Sequence, residues 1–534
     1  MLQLSDTTLR DGAQAEGITF SLDDKKQIVR ALDELGVAWI EAGNPGANPL
    51  DEALFESLRQ EPPLRHAHLT AFGSTRRPGI RPEEDEALVT LGRCVADAKT
   101  IFGKTSLFHA ERVLRCGGEE NLRMIQSSIQ YLKRTGCPVW YDAEHFFDAW
   151  KENRAYALST LHAAVDGGAD RVILCDANGG SMPEEIEEAV REVAQSLSIP
   201  LGIHCHNDCG LATANSLAGV CGGCDLVQGT IGGIGERCGN ADLCTLIPLL
   251  ELKLKCLTLP EGCLPRLTHL SRVIFEIMNI VPNENAPFVG YSAFAHKGGM
   301  HIVAILKDPS SYEQIDPESV GNQRRFLLSD QSGRAGVYAR LGKLLPDLNR
   351  DSAEFLSVVT RLKEQEAKGY TYENADGSFE LLALDTLGRR PVFFRVVNYH
   401  VLCHQPYDVQ QAMIPSAQAY LKVQVRGREG INAAEGNGPV NALDIALRKT
   451  LSVFYPSVGK MRLKDFKVRV LNAVGTASLV RVSIESTDGV HIWNTVGVSE
   501  DIIEASLRAL IDSVDYLLTR YVSPEEIRSA SEEE

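Results

Sequence analysis

The chain has no run approaching the ~18 apolar residues needed to cross a bilayer, which argues against a helical membrane protein. Positive charge is in deficit. Lys and Arg number 54 against 71 Asp and Glu, and the net charge of −17 repels nucleic acid and anionic membranes unless a local basic patch intervenes. Residues 1–5 lack the charged and apolar regions of an export signal. Cysteine is too sparse for a disulfide scaffold, 13 in 534 residues, so reduced thiols and a cytoplasmic location are expected. Cys221-Gly-Gly-Cys224 has no second pair at zinc-ribbon distance, and reads as a loop rather than a metal knuckle. The rest of the composition is ordinary for large buried cores, 44% apolar and 23% charged. At roughly 150 residues per domain the length suggests three to four domains.

Over the first 256 residues one pattern recurs: a short apolar run, polar residues, then an amphipathic stretch. In the first such stretch Ser21 is placed to cap a helix and Asp23 and Asp24 face the positive end of its dipole. Ile28, Ala31, Leu32 and Leu35 share one face, and Gly36 suits the left-handed residue that ends it. Eight strands are read, at residues 2–5, 37–41, 68–72, 104–108, 139–142, 171–175, 201–204 and 226–229. Eight strand-then-helix units in this length match a (β/α)₈ barrel, with a doubly wound open sheet as the alternative. Either way chemistry belongs at the carboxyl ends of the strands. Residues 257–391 read as linker subdomains and 392–522 as a strand-rich α+β domain. The acidic tail, 523–534, is expected to be frayed.

The strongest chemical signal is His204-Cys-His206-Asn-Asp208 at the end of the seventh strand. Alternation points both imidazoles to one side, within reach of one divalent ion. Asp11, after the first strand, supplies an anionic oxygen, and Arg10 beside it suits an anionic substrate or a developing oxyanion. Asp with two His suits Mg²⁺, Mn²⁺ or Zn²⁺ without choosing among them. The glycine-rich loop 232–240 lacks a dinucleotide register and is read as a tight turn presenting Asn240 as a further ligand. After the fifth strand stand Asp142, Glu144 and His145, any of which could serve as a base. Arg76 and Arg77 form a basic loop after the third strand, suited to a polyanionic small molecule.

Two segments carry a resemblance: Leu9-Arg10-Asp11-Gly12-Ala13-Gln14 with Lys25 beyond it, and His204-Cys-His206-Asn-Asp208-Cys-Gly210. Together they resemble the signatures of the α-isopropylmalate, homocitrate and citramalate synthase family of metal-dependent TIM-barrel acyltransferases. The long citramalate-forming branch fits best, through 72–77, 142–148 and 294–301. The resemblance implies a catalytic barrel, a linker completing the site, and a C-terminal regulatory domain. It implies Asp11, His204, His206 and Asn240 as metal ligands. Arg10, Glu144, His301 and Tyr312 become catalytic, with Arg10, Arg76, Arg77, Asp176 and Asn178 on the substrate side. The implied reaction condenses acetyl-CoA with a 2-keto acid, pyruvate in this branch, and hydrolyses the thioester. Isoleucine is the implied effector, with 426–438 and 473–478 as places for it, and a homodimer is the implied assembly. The family usually has Asp-Thr where this chain has Asp176-Ala177; losing that hydroxyl costs about 1.5–3 kcal/mol of keto-acid binding unless Asn178 or a water substitutes. The alternatives are a sister synthase with another keto acid, a carbon–carbon lyase, or a non-catalytic amino-acid sensor.

Overall fold

The computed structural model describes residues 2–327, 333–345, 348–404, 416–471 and 478–529. It divides into two compact units, one of Met1–Phe294 with Glu313–Arg324, the other of Ala295–Tyr312 with Arg325–Glu534.

In the first unit eight parallel strands close into a barrel in sequence order, and the open-sheet alternative falls. They are β1 (Gln3–Asp6), β2 (Trp39–Gly43), β3 (His68–Ser74), β4 (Ala98–Lys104), β5 (Val139–Glu144), β6 (Arg171–Asp176), β7 (Leu201–Cys205) and β8 (Leu226–Gly229). The helices around them are α1 (Leu22–Leu35), α2 (Pro49–Gln60), α3 (Glu86–Arg93), α4 (Gly118–Lys133), α5 (Phe146–Asp166), α6 (Pro183–Ser196), α7 (Ala212–Gly222) and α8 (Leu243–Pro248). Period-2 alternation sorts the strand residues. Ile40, Ala71, Ile101, Val172, Ile203 and Val227 join the layer beneath the helices, whereas Ala98, Trp140, Ile173, Cys175 and Leu226 fill the barrel interior. Helix α1 forms as its sequence demands: Ser21 and Asp24 make a reciprocal capping box, and Gly36 ends it at φ +88°. A Cβ on Gly36 would lie 2.4 Å from Pro260, so any other residue is excluded twice.

The fourth strand is a correction. It runs from Ala98 to Lys104, ending where it was expected to begin. Lys99 interrupts the apolar run, but its amine is taken up by Gly92 O (2.7 Å) and Thr135 Oγ1 (3.1 Å), so the charge does not break the strand. The stretch expected as linker subdomains is shared between the two units. Helix α9 (Leu267–Ile277) packs on α1 and buries Leu267, Leu270 and Ile274 in the barrel unit's core, while 295–312 and the stretch from 325 onward belong to the second unit.

The second unit contains a parallel pair, β9 (Ala295–His296) and β10 (Arg325–Phe326), with helices α10 (Gly299–Lys307), α11 (Gly333–Leu344), α12 (Ala353–Ala367) and α13 (Asp376–Thr386). Two β-β-β-α repeats come after them. The first is β11 (Arg395–His404), β12 (Ser416–Val425), β13 (Arg428–Gly436) and α14 (Pro439–Leu451); the second is β14 (Arg462–Val470), β15 (Val480–Thr487), β16 (Ile492–Ser499) and α15 (Ile502–Arg520). The stretch 426–438, expected as a place for the effector, is mostly strand β13. Its alternation is hidden because Ile431 is its one large apolar side chain, and that residue is exposed. The other effector candidate, 473–478, lies outside the described residues except for Ser478. The tail is ordered at its start: α16 (Pro524–Ser529) is tied down by Glu526, which accepts from Ser457 N (2.8 Å) and Oγ (2.6 Å). Residues 530–534 lie outside the described residues. Among the described residues no helix is long and apolar enough to cross a membrane, and all thirteen cysteines are free thiols.

Candidate active site

The carboxyl ends of β1, β7 and β8 converge on Asp11. The loop that carries it is pinned from behind by Lys25, whose buried amine donates to Leu9 O at 3.3 Å and pairs with Asp51. Asp11 Oδ2 lies 3.5 Å from His204 Nε2, 3.8 Å from His206 Nε2 and 3.1 Å from Arg10 Nη1. Its Oδ1 accepts from Asn240 Nδ2 at 3.2 Å. The glycine-rich loop makes that last contact possible. Gly239 sits at φ +89°, where a Cβ would fall 1.9 Å from Gly233 O, so the chain folds back tightly enough to bring Asn240 beside Asp11. Gly239 O meanwhile takes Asn207 N (2.9 Å) and faces His206 Nδ1 (3.3 Å).

This donor set fits a divalent cation. One donor atom from each of Asp11, His204 and His206 lies within 4.8 Å of the others, and all three residues are buried. Neighbouring ligands about 2.1 Å from one ion stand about 3–3.5 Å apart, near the separations seen. Burial works against the Asp11 carboxylate, but Arg10, His204, His206 and the Asn240 hydrogen bond prevail and hold its pKa down at about 2. Burial, then His206, lower His204 to about 3 against the pull of Asp11. The result is an ionised carboxylate facing a neutral imidazole, the protonation state that metal binding requires. His204 Nδ1 and Asn240 Oδ1 are buried without hydrogen-bond partners, atoms that a polar neighbour or an ion would satisfy.

Arg10 is the second centre. Its Nε donates to Glu41 Oε1 at 2.6 Å, and its guanidinium lies 3.9 Å from the centroid of the Phe72 ring, which stacks on Phe102. Burial opposes the Arg10 charge, yet Glu41, Asp11 and Asp142 outweigh it and keep the group protonated. The shared cation does not satisfy every acid. Burial drives Glu41 up against the pull of Arg10, and burial followed by Glu41 drives Asp142 up further. Glu144, at the end of β5, is instead paired with Lys104 Nζ at 2.5 Å.

Several expected substrate contacts are committed elsewhere. The Asp176 carboxylate is turned to Ser181 Oγ (3.2 Å) and Asn215 Nδ2 (3.2 Å), bracing the loop after β6. Asn178 is exposed and donates to Asp148 at 2.6 Å, so it is not free to replace the missing threonine hydroxyl. Arg76 is buried and bonded to Ser127 Oγ (3.0 Å) and Glu120 (2.9 Å). Arg77 is exposed and paired with Asp85 at 3.2 Å. In each case a local hydrogen-bond partner, invisible along the chain, captures the group. His301 and Tyr312 belong to the second unit, where their rings stack at 4.3 Å. Glu41 and Lys104 were missed; a lone acid and a lone base at the carboxyl ends of apolar strands were the available signals.

Beneath the site Asp6 accepts from Thr8 N (2.9 Å) and Thr8 Oγ1 (2.8 Å), yet burial prevails and raises it to about 7. A raised folded-state value stabilises the folded chain fully below about pH 4, and that contribution is lost as pH rises through about 7. Urea denaturation of the native chain and Asp6→Asn is expected to show their difference moving by about 2 kcal/mol in favour of the native chain between pH 7 and pH 5. A difference independent of pH would contradict the buried acid.

Comparisons with known proteins match three successive stretches of the chain, the second of which contains residues of both compact units. Residues 1–273 match the family described as HMGL-like, 288–369 the homocitrate synthase post-HMGL domain-like family, and 373–518 the LeuA allosteric (dimerisation) domain. The chain is 49% identical to an (R)-citramalate synthase of Geobacter sulfurreducens over 97% of its own length and 98% of the relative's. It is 46% identical to an (R)-citramalate synthase of Synechocystis, over 96% of each chain. A solved HMG-CoA lyase from Bacillus subtilis aligns at a TM-score of 0.46 and 18% identity, covering 53% of this chain and 96% of that one.

Proposed function

The chain belongs to the (R)-citramalate synthase family, and on that premise we infer that it is an acyltransferase condensing acetyl-CoA with pyruvate and water to give (R)-citramalate and CoA. What carries the reading is near-full-length identity of 49% together with an Asp11 hub flanked by His204, His206 and Arg10. Asp11, His204 and His206, with Asn240 through its amide oxygen, are the residues to hold a divalent ion, Mg²⁺, Mn²⁺ or Zn²⁺. Such an ion supplies Lewis acidity to the keto group of the acceptor.

The protein's own groups do the rest. Arg10, fixed by Glu41 and Phe72, presents its charge to the alkoxide that forms on the keto oxygen. Glu144 is the base that removes a methyl proton from acetyl-CoA, with Lys104 beside it balancing its charge. His301, with Tyr312 stacked on it, is the other pair suited to proton transfer. The enolate carbon adds to the keto carbon, and hydrolysis of the thioester releases CoA and makes the sequence irreversible.

The LeuA-type match supports a homodimer with an allosteric amino-acid effector, and isoleucine is the effector we assign, as the end product of a route that citramalate would feed. Thirteen free thiols suit the reducing cytoplasm. The test is thiol release from acetyl-CoA across a panel of 2-keto acids, with each of the three metals and with isoleucine, leucine or valine added. Pyruvate is expected to give the highest kcat/KM, and isoleucine alone to depress it. A preference for 2-ketoisovalerate or 2-ketoglutarate would move the chain to a sister synthase. No keto-acid-dependent release with any of the metals would defeat the reading.

A further inference from the structure

The two imidazoles of the site are supported unequally. His206 Nδ1 faces the carbonyl oxygen of Gly239 at 3.3 Å, which directs its other nitrogen towards Asp11. His204 Nδ1, fully buried, has no such hydrogen bond. The adjacent strand carries a group able to provide one. Strands β7 and β8 pair as Gly202 with Leu226 and Ile203 with Val227, a register that sets His204 beside Gln228. Gln228 is 1% exposed, and both of its amide atoms are also without hydrogen-bond partners. On its other side Gln228 pairs in register with Ser5 of β1, whose buried hydroxyl is unpartnered as well. Four orphaned polar atoms therefore lie in a row across three neighbouring strands. Buried polar atoms are rarely left so, and here their donor and acceptor types are complementary.

We propose that Gln228 is a positioning residue for His204: its side-chain oxygen accepts the imidazole Nδ1–H, its nitrogen is anchored on the Ser5 hydroxyl, and His204 Nε2 is thereby held as a lone pair facing Asp11 and His206. The role rests on the reading of that trio as a metal site. A ligating histidine needs an acceptor on its far nitrogen to fix its tautomer and ring angle. In this chain a backbone carbonyl serves one imidazole and a neutral amide the other. A neutral acceptor also adds no charge to an interior where Arg10 already serves Glu41, Asp11 and Asp142.

Free Mn²⁺ in equilibrium with the full chain, counted by electron paramagnetic resonance, tests this without turnover. Gln228→Met keeps the length and removes the polar atoms, and is expected to weaken Mn²⁺ binding by about 10- to 100-fold. Gln228→Glu keeps an acceptor and is expected to stay within a few-fold of the native chain, a rescue that a purely space-filling role would not produce. Native affinity in Gln228→Met, or equal losses in Met and Glu, would overturn the assignment while leaving the metal site standing. A native chain that takes up no Mn²⁺ would remove both. If Gln228→Met does not fold, Ser5→Ala probes the far end of the same row: weaker Mn²⁺ binding supports the proposal and unchanged binding overturns it.

Discussion

Asp11→Asn is expected to abolish measurable metal uptake and to lower keto-acid-dependent CoA release by on the order of 10³-fold or more, the rate equivalent of the several kcal/mol that metal-centred charge stabilisation supplies. The side chain keeps its shape, so the effect isolates the charge. The Asp11 carboxylate lies within 4 Å of His204 Nε2, His206 Nε2 and the Arg10 guanidinium, and each of the three depends on it differently. Without it two imidazoles and an amide make a weak site for a hard cation. The guanidinium also loses one of its two close carboxylates, although Glu41 still holds its Nε. Metal content by elemental analysis and steady-state rates in the same preparation check the outcome. Retention of either metal or full activity would remove Asp11 from the centre of the site.

Arg10→Met is expected to lower both rate and stability, and Arg10→Lys to separate the two. Glu41 is completely buried, and Arg10 is its charge partner at 2.6 Å. Deleting one member of a buried pair costs about 3–5 kcal/mol, because the other is left charged or must take up a proton. Loss of the group facing a developing oxyanion costs a further ~10²–10³ in kcat. Lysine restores a positive charge near Glu41 and should recover most of the folding stability. It should not recover the rate, because a single ammonium cannot present the planar fork that reaches Glu41 and Asp11 while lying on Phe72. Thermal melts alongside CoA-release kinetics read both effects. Equal stability in all three chains would show that Glu41 is satisfied from another direction. Full activity in Arg10→Lys would show that charge alone suffices.

The parts of the site carried by strand alternation could be read along the chain. His204 and His206 are two residues apart, and a period of two places them on one side whatever the rest of the fold does. Asp11 and Arg10 were legible because they follow the first strand at its carboxyl end, where barrels keep their chemistry. Asn240 was legible only through its glycines, which signal a turn but do not say what the turn faces. Asp176, Arg76 and Arg77 show the limit. Each stands at the right height on the barrel, and each is captured by Ser181, Glu120 or Asp85, partners that strand alternation does not predict. Glu41 and Lys104 failed in the opposite sense, being read only as strand ends.

The chain's own order of residues was enough to establish eight strand–helix alternations, the capping of α1 and a paired-imidazole motif, because these depend on spacing over a few residues and on the intrinsic geometry of each element. Closure of the sheet, the true place of β4, the division of the linker between two units, and the pairing of Arg10 with Glu41 were decided only in three dimensions. Those features depend on contacts between residues tens to hundreds of positions apart. There burial and partner choice set the energy, and local propensity has no information about either.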